Sequence, residues 1–195
     1  MVIIMDDNII KNHYPARKSF RLKGWDYSSP GAYFVTICTH KKQSIFGSVE
    51  NGAMQLNPCG NLVRECWEAL PTHYTDINNQ IFIVMPNHVH GIIMLASENR
   101  RSGSYINKEV EYQRKPDPTD SFSLSEVIRG FKSYSYKAVN EARHSPGTTI
   151  WQRSYYEQII RTEKEYREIG KYIVYNAAKW DNDSENPFLL NTSRL

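Results

Sequence analysis

A chain of 195 residues, 40% hydrophobic and 23% charged, is long enough for one domain with a sizeable core and has the composition of a soluble globular protein. Its net charge of +3 permits a nucleic-acid partner without requiring one, and its three cysteines (Cys38, Cys59, Cys66) are too few and too scattered for a disulfide framework or a close metal-type pair. No apolar run approaches the roughly 20 residues that span a bilayer, and the apolar start at Val2–Met5 is interrupted by Asp6 and Asp7, so the expectation is a cytoplasmic protein with no membrane partner.

Residues 1–30 read as a basic arm carrying Arg17, Lys18, Arg21 and Lys23, closed by the turn signal Ser28-Ser29-Pro30-Gly31. Residues 33–39, rich in β-branched and aromatic side chains, predict a strand. A hairpin over 45–56 follows, turning at Asn51-Gly52. Asn57-Pro58 opens a helix whose Leu62, Val63, Cys66, Trp67 and Leu70 recur at helical spacing. Residues 77–85 and 88–95 predict two further strands joined by a turn at Pro86-Asn87. Residues 97–121 are polar, charged and proline-containing, a surface insertion in which Arg100, Arg101, Lys108, Arg114 and Lys115 crowd together. Ser123-Leu124-Ser125-Glu126 fits a capping box for a helix to about Glu141. A strand is predicted over 149–160. A second capping box, Thr162-Glu163-Lys164-Glu165, starts a last helix running to about Trp180. The domain thus occupies 31–182, and residues 183–195 read as a loose tail.

The core order is strand, helix, strand, strand, helix, strand, then one more helix. This predicts an α+β, ferredoxin-like antiparallel sheet with helices on one face, an extra hairpin and an added C-terminal helix.

The most informative stretch is Met85-Pro86-Asn87-His88-Val89-His90-Gly91. Side chains alternate along a strand, so His88 and His90 share one face and Val89 takes the other. Two imidazoles on a rigid strand can bind a divalent metal with much of its coordination sphere left open, as chemistry on a phosphate requires. The competing reading is a pair of hydrogen-bonded core histidines. On the last helix, Tyr166, Ile169, Ile173, Ala177 and Trp180 define the buried stripe. Tyr172 and Asn176 lie together on its flank as an i,i+4 pair, and Tyr175 faces solvent. Asn176 offers a neutral oxygen suited to Mg²⁺ or Mn²⁺. Gly170, inside this helix, reads as an allowance for close packing or for movement.

The motif Met85–Gly91 resembles the His-hydrophobic-His motif of the HUH single-tyrosine transposases, and among them the chain is most similar to the REP-associated tyrosine transposases. Supporting segments are Leu56-Asn57-Pro58-Cys59-Gly60 before a tryptophan-bearing helix, Ile128-Arg129-Gly130-Phe131-Lys132-Ser133, Trp151-Gln152-Arg153-Ser154-Tyr155-Tyr156-Glu157 and Tyr172-Ile173-Val174-Tyr175-Asn176. The resemblance spans 33–180 in order. Two departures are Asn176-Ala177, where the family often has Asn-Pro, and the insertion at 97–121.

The resemblance implies an enzyme, a metal-dependent transposase or endonuclease of single-stranded DNA. His88, His90 and Asn176 would hold Mg²⁺ or Mn²⁺. Tyr172 would attack a DNA phosphate to give a 5′-phosphotyrosine. The partner implied is a hairpin formed by palindromic repeats. A free tyrosine has a pKa of about 10 and needs a proton acceptor. Glu165 lies two turns away, but the capping box claims it. The basic arm together with Arg129, Lys132, Lys137 and Arg153 would hold the strand, with Tyr134, Tyr136, Trp151, Tyr155 and Tyr156 as aromatic neighbours. A histidine-triad hydrolase would need a third alternating histidine where Ile92 stands. A non-catalytic binding module leaves His88, His90, Tyr172 and Asn176 without a common purpose. A related nickase or replication initiator would use the same chemistry. The resemblance is compatible with a monomer and with a homodimer.

Overall fold

The computed structural model describes residues 24–74, 77–96, 122–183 and 185–187. The predicted insertion, Arg17, Lys18, Arg21 and Lys23 of the arm, and the end of the tail lie outside the described residues.

The chain begins with β1 (Gly31–Cys38) and a hairpin of β2 (Gly47–Glu50) and β3 (Ala53–Leu56). It continues through α1 (Pro58–Glu68), the single-turn α2 (Leu70–His73), β4 (Ile77–Asn78), β5 (Phe82–Met85) and β6 (His88–Leu95). It ends with α3 (Leu124–Ala142), β7 (Tyr156–Ile160) and α4 (Glu163–Val174). β6 pairs antiparallel with β1 from Gly31↔Leu95 to Cys38↔His88, and β1 pairs with β7 on its other side. β5 and β4 pair with successive stretches of β6. The order β5-β6-β1-β7, with α1 and α3 as crossovers, is the predicted ferredoxin-like arrangement.

Local signals start these elements. Asn57 caps α1 by accepting from Gly60 N at 2.9 Å, with Pro58 tolerated in the first turn. Ser123 and Glu126 form the full capping box of α3. At α4 only half of the predicted box forms. Thr162 Oγ1 accepts from Glu165 N, while the Glu165 carboxylate reaches past the cap to Arg161 N at 2.7 Å.

The sheet buries both faces. Tyr33, Val35 and Ile37 of β1 and Val89 and Ile93 of β6 pack against Val63 and Trp67 of α1 and Val127, Ile128 and Phe131 of α3. On the other face Phe34, Ile92 and Ile160 meet Ile169 and Ile173 of α4. Two helices therefore share one face, and the added helix covers the opposite one. Buried side chains of this size contribute roughly 1.5–3 kcal/mol each.

Two predicted strands are broken, each for a visible reason. The strand expected over 77–85 divides at Asn79, whose Nδ2 donates to Trp67 O while Trp67 Nε1 donates to Asn79 O at 3.0 Å. The strand expected over 149–160 shrinks to a bridge at Trp151 and to β7. Between them the Lys132 ammonium gathers the carbonyls of Gln152, Arg153 and Ser154 at 3.0–3.3 Å, taking acceptors that a ladder would use. The last helix stops at Val174 rather than near Trp180, and a 3₁₀ turn, Ala177–Asn182, replaces its final stretch.

Two glycines give opposite expectations. A Cβ on Gly91 would stand 2.3 Å from the Trp67 ring in a packed core, so Gly91→Ala lowers stability by about 1–3 kcal/mol in urea unfolding. A Cβ on Gly170 would meet Ile81 at an ordinary 3.6 Å, so Gly170→Ala raises stability by about 0.5–1 kcal/mol in the same assay.

Candidate functional site

The β1–β6 register sets His88 opposite Cys38 and His90 opposite Thr36, and pleating turns both rings toward the α4 face. Their centroids are 4.3 Å apart and the residues are 0% and 2% exposed. Thr36 Oγ1 lies 2.9 Å from His90 Nδ1. The Tyr172 hydroxyl, arriving from α4, lies 3.2 Å from His90 Nε2. Phe34 meets the Tyr172 ring edge-on, with centroids 6.1 Å apart, and so sets its approach. His88 Nδ1 lies 2.8 Å from Asn87 Oδ1.

Asn176 sits just beyond α4, where the backbone resumes a right-handed helical conformation at the head of the 3₁₀ turn. That turn carries Trp180 to the His88 ring, with centroids 6.0 Å apart. The chain does not loosen at residue 183 as expected. Asp183, Glu185 and Asn186 are buried. Asp183 Oδ2 accepts from Asn176 Nδ2 at 2.9 Å and its Oδ1 accepts from Glu185 N at 2.7 Å. Glu185 in turn holds Lys42 at 3.0 Å and accepts from the Cys38 thiol at 3.3 Å. Tyr175 is 55% exposed, as expected from its place on the helix.

Two buried polar atoms in this cluster have no hydrogen-bond partner, His88 Nε2 and Asn176 Oδ1. Leaving such groups unsatisfied costs about 1–3 kcal/mol each. Burial depresses the pKa of His88 well below the ordinary histidine value, helped by His90 and Lys42 and opposed by Asn176. Burial also depresses His90, opposed by Asp183. Both rings are thus neutral at pH 7, the form in which imidazole is a metal ligand. Donor atoms of His88, His90 and Asp183 lie within 4.8 Å of one another. Neutral imidazole nitrogen, amide oxygen and carboxylate together suit a divalent cation of the Mg²⁺ or Mn²⁺ type. The residues fit such an ion.

The structure therefore brings together His88, His90, Tyr172 and Asn176. It adds three neighbours that sequence reasoning missed: Thr36, Asn87 and Asp183. Thr36 was legible as the same-face neighbour of Phe34 and Cys38, whereas Asp183 carried no local signal. Of the residues proposed to hold DNA, Arg129, Lys137 and Arg153 are exposed. Lys132 is corrected. Its ammonium is held by three backbone carbonyls and lies 5.3 Å from the Tyr155 ring centroid, so it shapes the 152–154 loop rather than reaching for phosphate. Burial lowers its pKa to about 8. Trp151 is a core residue whose Nε1 donates to Ser135 Oγ at 3.0 Å. Among the described residues, no helix is long and apolar enough to cross a membrane.

No family model matches the chain. An uncharacterized protein of Haemophilus influenzae is 38% identical over 168 residues, covering 86% of this chain and 91% of that protein. A solved structure of a REP-associated tyrosine transposase bound to a REP hairpin superposes with a TM-score of 0.52 at 19% identity, covering 82% of this chain and 73% of that one. This likeness is one of fold.

The two unpartnered buried atoms predict a metal-dependent gain in stability. Mn²⁺ at a hundred times its dissociation constant raises unfolding free energy by about 2.7 kcal/mol. Thermal melts with Mn²⁺ and with EDTA should separate for the native chain and coincide for His88→Ala.

Proposed function

The chain belongs to one family with that Haemophilus influenzae protein, and from its fold and its histidine–tyrosine cluster we propose that it is a divalent-metal-dependent transposase that cleaves and rejoins single-stranded DNA through a 5′-phosphotyrosine. The observation that carries this reading is the Tyr172 hydroxyl 3.2 Å from His90 Nε2, beside two unpartnered buried acceptors. A tyrosine and a metal-ready set of donors in one place are what a tyrosine-nucleophile phosphoryl transfer needs.

His88, His90 and Asn176 would hold the ion, with the Asp183 carboxylate as a further oxygen donor. When bound, Mg²⁺ or Mn²⁺ would supply Lewis-acid polarisation of the scissile phosphate. Tyr172 provides the nucleophilic oxygen. As its bond to phosphorus forms, the bond from phosphorus to the 3′-oxygen breaks. The phenol proton is released and the departing 3′-oxygen is protonated. One phosphodiester replaces another and no water is consumed, so a 3′-hydroxyl can reverse the step and rejoin the strand. Phe34 and the α4 backbone hold the phenol in place, which lowers the entropy lost on reaching the reactive geometry.

The fold relative's REP hairpin supports reading the substrate here as a hairpin-forming palindromic repeat with an adjoining single strand. Arg129, Lys137 and Arg153, together with Arg17, Lys18, Arg21 and Lys23, are the proposed phosphate contacts.

Two experiments test this. Mn²⁺ and labelled hairpin DNA from repeats flanking the gene should give a covalent adduct that retains the DNA 3′ of the cut on a denaturing gel. Tyr172→Phe and His90→Ala should give none, and Tyr175→Phe should behave as the native chain. An adduct that survives Tyr172→Phe removes this tyrosine from the role. For binding, Lys137→Ala or Arg153→Ala should each reduce the slope of log affinity against log salt by about one. An unchanged slope would take that residue off the DNA path.

A further inference from the structure

Asn87 lies immediately before the first histidine and reaches three elements at once. Its Nδ2 donates to Glu185 O at 2.7 Å and to Lys42 O at 3.2 Å. Its Oδ1 lies 2.8 Å from His88 Nδ1. A carboxamide nitrogen can only donate and its oxygen can only accept. With two carbonyls against the nitrogen, rotating the amide by half a turn would set oxygen against two oxygens. The oxygen therefore faces the imidazole, and His88 Nδ1 must be the donor. A neutral imidazole has one ring hydrogen, so Nε2 is bare.

We propose that Asn87 is a positioning residue that locks His88 in its Nδ1–H tautomer, leaving Nε2 as a bare acceptor. The two unpartnered atoms then have one explanation. Asn176 Nδ2 is engaged by Asp183, so Asn176 also presents its oxygen. Both atoms are then acceptors, and a cation or a donor would satisfy both.

His90 differs. Its ring nitrogens meet two hydroxyls, Thr36 and Tyr172, and a hydroxyl can donate or accept. Either tautomer of His90 is satisfied, so the lock is specific to His88.

The carbonyls that orient Asn87 are themselves held. Lys42 and its neighbour Lys41 adopt left-handed backbone conformations, with φ of 54° and 56°, which presents Lys42 O to Asn87. The Lys42 ammonium binds the Glu185 carboxylate, tying the second carbonyl to the first. Strain of this kind persists where surrounding contacts over-determine it.

The tautomer assignment stands on these hydrogen bonds alone. Its consequence for metal binding rests on the proposed function. Long-range ¹H–¹⁵N correlation spectra of the metal-free protein, with ¹⁵N-labelled histidine and His88 assigned through His88→Gln, read the tautomer directly. The native chain should show His88 protonated on Nδ1. Asn87→Ala should move the hydrogen to Nε2 and weaken Mn²⁺ binding about 10–100-fold by electron paramagnetic resonance titration. His88 protonated on Nε2 in the native chain overturns the proposal, as does an unmoved Nδ1–H in Asn87→Ala. A native chain with Nδ1–H that binds no Mn²⁺ upholds the lock and sinks the metal reading instead.

Discussion

The antiparallel pairing of β1 with β6 is the constraint on which the rest depends. Eight consecutive residue pairs fix which side chains of each strand face α1 and α3 and which face α4. One face takes Tyr33, Val35, Ile37, Val89 and Ile93 into the main core. The other takes Phe34, Thr36, His88, His90 and Ile92. A slip of one residue would send the histidines into the hydrophobic core and Val89 into the site. Gly91 guards this register. It has no side chain where the Trp67 ring closes on the strand, and any larger residue there would push the strand away from α1.

The site then follows from packing on the second face. Ile169 and Ile173 dock α4 on Phe34, Ile92 and Ile160, and Tyr172 is delivered to His90 as a by-product of that docking. The polar groups around the histidines are arranged as acceptors, from Asn87 behind His88 to Asn176 and Asp183 in front. Two buried acceptors without a donor, His88 Nε2 and Asn176 Oδ1, are costly in isolation and favourable around a cation.

Much of this was legible in the chain itself, wherever the deciding interaction was local. Alternation placed His88 and His90 on one face. Asn51-Gly52 turned the hairpin, and Asn57 and Ser123 capped their helices. What escaped depended on partners distant in sequence. Asn79 leaves its strand because Trp67 takes its side chain. Lys132, which reads as a phosphate contact on an amphipathic helix, is drawn to three carbonyls about twenty residues away. The last helix ends early because Asn176 and Trp180 pack on the histidine face. Asp183 looked like tail because nothing adjacent marks it, and it acquires a role only through Asn176. The insertion at 97–121 and the basic arm are legible in charge alone.

The order in which these parts leave the ribosome has a consequence of its own. Among the described residues, every strand and both core helices are present once residue 160 has been made. The groups that complete the site come later, at 172, 176, 183 and 185. The bond from Tyr172 to His90 spans 82 residues and that from Asn87 to Glu185 spans 98. Domains fold from the N-terminus as synthesis proceeds. A chain interrupted near its end therefore has a sheet and a core but no tyrosine beside its histidines. An abortive translation product of this gene carries the scaffold without the residues that close over its histidine face.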